Sequence, residues 1–325
     1  MKIYISIRPG PIGGPSVFVK NFVEECVKRG HKIVYDVQKD CDCGLVISTT
    51  NEEALKKLKK YGIKTIIRLD GFYIPEYWDN RKGRKMTLDK IQVNNVMRKD
   101  LKRYDEVIFQ SNWSKKMFDR WLGERKDHFT VIHNGVNTKK FKPLNRGIKN
   151  SVIMVGALRH AYMANTFFGA MNIFYENKGR ANWLLAGTMD KVCKKIYSQY
   201  AARPGVKYLG PASNDQLVGI YNKANVLLHP RAGDSCPNVV LEAMACGLPV
   251  VCASWGGAAE LVGKAGVIAE IDKWGYGRKY ETKCFQGIKE ILENPKLYSN
   301  RAIKRINKHF TIEKTVDNYL EVMRP

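Results

Sequence analysis

The chain has 325 residues, 44% of them hydrophobic, with 55 Lys and Arg against 31 Asp and Glu, a net charge of +24. That length suits two ordinary domains, each with apolar residues enough for a core, and no apolar run approaches the ~18 residues of a membrane span. Its first eight residues are interrupted too soon for a signal peptide, and the eight cysteines show no CxxC pair and no His/Cys spacing for zinc. Reduced cysteines and a cytoplasmic protein, with a peripheral place at a membrane as a further option, are expected.

The first strand is expected over Ile3 to Ile7, followed by a Gly-Pro turn holding Gly13 and Gly14. A glycine-rich turn between strand and helix lets backbone approach a ligand closely. Phe18, Phe22, Val23 and Val27 then mark one face of a helix. Strands follow at Ile33 to Val37, Leu45 to Ser48 and Ile63 to Leu69, with Asn51 capping a Lys-rich helix between the last two. Asp40 and Asp42 read as a polar turn. Asp70 lies just past a strand end, where a carboxylate can orient an acceptor hydroxyl or accept its proton. A turn-capping role fits it equally.

Residues 72–85 interleave Tyr73, Tyr77 and Trp78 with Arg81, Lys82, Arg84 and Lys85. Such a loop can stack on bases or sugars while gripping phosphate, or sit at an anionic membrane face. The first 150 residues hold 32 Lys and Arg against 17 Asp and Glu, a net +15. The charge therefore favours an acidic partner, either anionic membrane or nucleic acid. A helix over Thr87 to Arg103, a strand at Glu106 to Gln110, a helix capped by Ser111 and a strand at Phe129 to Ile132 lead to a linker over Thr138 to Asn150.

The second half repeats the βα pattern, with strands at Ser151 to Val155, Trp183 to Ala186 and Val206 to Leu209. Val226 to His229 ends another strand. Ser235 reads as an N-cap with Pro237 in the first turn of a helix that Gly247 stops, and Leu248 to Ala253 is a buried strand. Two helix N-termini thus follow two parallel strands, and their unpaired N–H groups can hold phosphate. Asp234 and Glu242 flank the first of them; eight helical residues would put about 12 Å between them. Helices at Cys284 to Leu292 and Lys296 to His309, and a last one from Thr311 to Met323, complete the chain.

Glu242-Ala-Met-Ala-Cys-Gly-Leu-Pro-Val-Val251 followed by Ser254, Gly256, Gly257 and Glu260 resembles the signature of family 4 glycosyltransferases, retaining enzymes of the GT-B fold. Asp234 stands where that family usually has Glu. His133-Asn-Gly-Val-Asn137 and the Arg29-Gly-His31 turn also resemble its pattern. Ala157 replaces the family's phosphate-binding Arg, and 160–165 lacks its Lys; Arg159 or Arg231 could substitute.

The resemblance implies two Rossmann-like α/β domains with a cleft between them: an acceptor domain over 1–145, a nucleotide-sugar domain over 146–310, and a terminal helix over 311–325 crossing back to the first domain. It implies a UDP- or GDP-sugar donor, no obligatory cofactor or metal, and a hexosyl- or pentosyltransferase reaction. Asp70 and Asp234 are the catalytic candidates. Gly13, Gly14, Arg159, Arg231, Cys236, Pro237, Asn238, Val239, Glu242, Gly256 and Gly257 are the donor-site candidates. Tyr73, Trp78, Arg81, Lys82, Arg84 and Lys85 are the acceptor candidates. A glycan or lipid-linked acceptor is expected first. Transfer to nucleic acid, or a non-catalytic nucleotide-sugar binder, are the alternatives.

Overall fold

A computed structural model describes residues 1–10, 13–79, 86–144 and 150–324. The chain divides into two compact units, one of Met1–Gly135 with Ile312–Pro325 and one of Val136–Thr311. The first contains β1 (Lys2–Ile5), α1 (Gly14–Lys28), β2 (Lys32–Val34), β3 (Cys43–Ile47), α2 (Glu52–Lys60), β4 (Lys64–Leu69), α3 (Pro75–Asp79), α4 (Leu88–Asp100), β5 (Glu106–Phe109), α5 (Asn112–Trp121) and β6 (Phe129–Val131). The second contains β7 (Ser151–Val155), α6 (Ala161–Glu176), β8 (Asn182–Ala186), α7 (Lys191–Ser198), β9 (Val206–Tyr208), α8 (Asn214–Asn222), β10 (Val226–His229), α9 (Asn238–Ala245), β11 (Val250–Ala253), α10 (Ala258–Val262), β12 (Val267–Ala269), α11 (Arg278–Glu293) and α12 (Pro295–His309). The last helix, α13 (Ile312–Met323), returns to the first unit.

Each unit is built on a six-stranded parallel sheet, ordered β2-β1-β3-β4-β5-β6 and β12-β11-β10-β7-β8-β9. Strand order reverses between β1 and β3 in one and between β7 and β10 in the other, and ligands of open α/β sheets bind beyond the carboxyl ends at such points. The strands are apolar runs because both faces are covered by helices: all five residues of β3, all five of β7 and all four of β10 are buried. Among the described residues no helix is long and apolar enough to cross a membrane.

α13 shows why the chain returns. Ile312, Val316, Tyr319 and Met323 fall on one helical face and are buried with Ile3, Ile5, Phe18 and Phe22. The Tyr319 ring centroid lies 5.4 Å from that of Phe18 and 5.2 Å from that of Phe22. Arg29 donates to the Asp317 carboxylate and, at 3.0 Å, to the Glu313 carbonyl, fixing the helix N-terminal turn.

Local signals succeed where a cap is geometrically possible. Asn51 accepts from the Ala54 N–H and Ser111 from the Ser114 N–H, as their positions predict. Ser235 does not cap: Pro237 adopts extended backbone, φ −71° and ψ 118°, and α9 begins only at Asn238. Within the aromatic-basic stretch, Pro75–Asp79 forms a turn of helix rather than loop. β12 follows a short 3-10 turn and has only three residues, too few to leave a pattern.

Candidate functional site

In the second unit the candidate residues gather at the β7/β10 reversal. β10 ends at His229, and residues 230–237 form a loop pinned by its neighbours. Gly233 N–H donates to the Trp255 carbonyl at 2.7 Å, and Gly257 N–H donates to the Asp234 carbonyl at 2.7 Å. Tyr276 Oη accepts from Ala232 N–H at 3.0 Å, and Tyr280 Oη donates to the Pro230 carbonyl at 3.1 Å. Two glycines allow this closeness. Gly233 has φ +76° and a Cβ there would lie 2.5 Å from the Trp274 ring; Gly256 has φ +146° and its Cβ would lie 3.2 Å from the Asp234 carbonyl. The Asp234 and Gly256-Gly257 loops are thus tied to each other by backbone hydrogen bonds.

Asp234 lies in this loop, not on α9, so the ~12 Å helical spacing expected between it and Glu242 does not apply: only the part from Asn238 onward is helix. Its side chain is 23% exposed, with Oδ2 3.6 Å from Arg231 Nη1 and 4.0 Å from His229 Nε2. His229 is buried, and burial lowers its pKa to about 4, so the imidazole is neutral at pH 7.

Glu242 faces inward from α9, 5% exposed. Tyr221 Oη donates to its Oε2 at 2.8 Å and Asn214 Nδ2 to its Oε1 at 3.4 Å. Loss of hydration pushes its pKa from 4.5 to about 7, although Tyr221, Lys140 and Asn214 each favour the carboxylate. Lys140 Nζ itself donates to Asp215 Oδ1 at 2.5 Å and to Asn214 Oδ1. A carboxyl kept out of water on so few donors has capacity left for hydroxyl donors.

The remaining donor candidates flank this point. Cys236 and Pro237 are buried, Asn238 and Val239 half-buried at the α9 N-terminus, and Gly256 and Gly257 buried. Arg159 is exposed beyond β7, and Arg231 stands at the end of β10, so both cations border the reversal. Where the resemblance led one to look for a lysine there is an aromatic stack: His160 on Tyr162 at 5.3 Å and Tyr162 on Tyr276 at 4.0 Å.

The first unit has its own polar edge. Asp70 accepts from Arg68 Nη1 and from Gln110 Nε2 (2.5 Å) on Oδ1, and from Ser48 Oγ on Oδ2. Arg68 is buried, donates to Asn134 Oδ1 at 2.9 Å and stacks 4.0 Å over the Phe18 ring. Ser48, Asp70, Gln110 and Asn134 follow β3, β4, β5 and β6, so the network ties the carboxyl ends of four strands together. Gly13, with φ +99°, opens α1, and a Cβ on Gly13 or Gly14 would meet no atom within 4 Å, which makes this an open face of the described residues. Tyr73 is 38% exposed and anchored by paired backbone bonds with Asn94 at 3.0 and 2.7 Å. Trp78 lies on α3, its side chain outside the described part, and Arg81, Lys82, Arg84 and Lys85 lie outside the described residues.

Sequence reasoning missed His229, Tyr221, Asn214 and Lys140. The Ser213/Gln216 capping box that opens α8, a local signal the sequence reading did not use, places Asn214 beside Glu242. Among the described residues no group of three His, Cys, Asp or Glu side chains is arranged to hold a metal.

The family model described as "Glycosyl transferases group 1" matches residues 136–309. A Campylobacter jejuni N,N'-diacetylbacillosaminyl-diphospho-undecaprenol alpha-1,3-N-acetylgalactosaminyltransferase is 27% identical over 258 residues, 74% of this chain and 64% of that enzyme. The chain thus aligns with less than two thirds of the length of this relative. Sucrose-phosphate synthase from Thermosynechococcus elongatus superposes with a TM-score of 0.73 at 16% identity, covering 99% of this chain and 97% of the other. Anabaena HepE in complex with UDP gives 0.71 at 16% identity, covering 99% of each chain. The two six-stranded units are those of the GT-B fold.

Proposed function

Because the chain belongs to the group 1 glycosyl transferases, we propose that it moves a sugar from a nucleotide-sugar donor, with retention of anomeric configuration as in family 4, to a glycan or lipid-linked acceptor at a membrane face. The observation that carries this is the pairing of buried Glu242 with half-buried Asp234 across the α9 N-terminus at a strand-order reversal. Glu242 takes the ribose hydroxyls and Asp234 the hydroxyls of the transferred sugar. Between them, the N–H groups of Asn238 and Val239 at the α9 N-terminus and of Gly256 face the diphosphate, with Arg231 or Arg159 as its counter-charge. Asp70, already accepting three hydrogen bonds, orders the acceptor edge of the first unit.

Chemically, the bond from the anomeric carbon to the diphosphate oxygen breaks as the acceptor oxygen bonds the same face. The acceptor proton passes to the departing phosphate. The protein contributes position and charge rather than a nucleophile. UDP is the favoured nucleotide, since a structural neighbour is described with UDP and with UDP-glucose. The acceptor class is supported by the relative named for a diphospho-undecaprenol substrate and by the basic first half.

The test is incubation with UDP- and GDP-sugars and a polyprenyl-diphosphate sugar in anionic vesicles, followed by NMR of the extracted product. A product with the donor's anomeric configuration supports the reading. Inversion, or transfer only to DNA oligonucleotides, contradicts it.

A further inference from the structure

His229 is the last residue of β10, paired with Cys252 of β11 on one side and next to β7 on the other, at the strand-order reversal itself. The residue is 5% exposed, and Nε2 has no hydrogen-bond partner among the described residues. Buried polar atoms are almost always paired, and one left alone disfavours the fold relative to an apolar residue of the same size. Asp234 Oδ2 lies 4.0 Å from Nε2, and the same oxygen is 3.6 Å from Arg231 Nη1. Both groups thus address one oxygen, leaving Oδ1 outside that pair.

We propose that His229 is a positioning residue for Asp234: its Nε2–H closes onto Oδ2 when a nucleotide sugar fills the site, and so fixes the angle at which Oδ1 meets a hydroxyl of the transferred sugar. This rests on the nucleotide-sugar reading above. The adjacent carboxylate favours the tautomer with hydrogen on Nε2. The charged groups facing it are Asp234 and Arg231, and a neutral imidazole holds the first without repelling the second.

With a polyprenyl-diphosphate sugar in anionic vesicles present as acceptor, nucleoside diphosphate release from UDP-glucose, UDP-GlcNAc, UDP-GalNAc and GDP-mannose should be measured for wild type, His229→Leu, His229→Gln, Asp234→Asn and His229→Leu/Asp234→Asn, with Tm for each. Expected is a His229→Leu protein whose Tm is equal or higher and whose KM stays within about threefold. Its kcat should fall roughly tenfold to a hundredfold through misplacement alone. His229→Gln, which keeps an N–H donor, should regain part of the loss. The double variant should be no slower than Asp234→Asn alone, because the histidine acts only through that carboxylate. Losses that multiply in the double variant, a kcat for His229→Leu within about twofold of wild type, or a loss that tracks a fallen Tm, would each overturn the proposal. Wild type that releases no nucleoside diphosphate overturns the transferase reading itself, and this inference with it.

Discussion

Desolvation holds the Glu242 carboxyl at a pKa of about 7, against 4.5 for a free side chain. Between those values the folded chain keeps a proton that the unfolded chain sheds, so folding stability falls as pH rises from ~4.5 to ~7 and then levels off. The difference amounts to about 3 kcal/mol. Glu242→Gln removes that dependence: thermal melts from pH 5 to 8 should show a flatter Tm profile and a higher Tm than wild type at pH 8. A variant that melts lower at pH 8 would mean that the charged form is better paired than its two donors indicate. Asp234 is less buried than Glu242 and should behave differently. Asp234→Asn should lower turnover far more than affinity for the bare nucleotide, measured as kcat beside the Kd for UDP, and equal losses would make it a loop support only. Both acids stand in one contiguous motif, which is why the sequence displays them. Their neighbours do not: Tyr221, Asn214 and Lys140 come from α8 and the linker, and His229 from a strand end that reads as core.

The elements were legible in proportion to their length and their caps. β7, α2 and α5 lie where apolar runs and Asn51 or Ser111 put them. The α9 start was misplaced because proline preference and serine preference compete over three residues, and the fold keeps Pro237 extended so that the Asp234 loop can reach the Gly256-Gly257 loop. The return of α13 rests on one apolar face. Tyr319 is fully buried against two phenylalanine rings, so Tyr319→Ala should cost about 3–5 kcal/mol, read as a lower urea midpoint. A shift under ~1 kcal/mol would show that the helix is held by Arg29 and its polar contacts instead.

At the scale of the molecule, the +24 charge is a statement about partners, not about fold. A membrane-face acceptor predicts binding to anionic vesicles that weakens steeply with salt, each basic residue near the surface adding about 1 kcal/mol. Replacing Arg81, Lys82, Arg84 and Lys85 by Ala should remove much of that affinity in a sedimentation assay while UDP binding persists. Preference for duplex DNA over vesicles would move the acceptor to nucleic acid. Titration calorimetry of UDP into wild type and Glu242→Gln reads donor binding at this carboxyl. Wild type should bind and the variant should bind roughly ten- to a hundredfold more weakly, the loss of a hydrogen-bonded charge worth about 1.5–3 kcal/mol. A folded Glu242→Gln protein that binds UDP as tightly as wild type would contradict donor binding there.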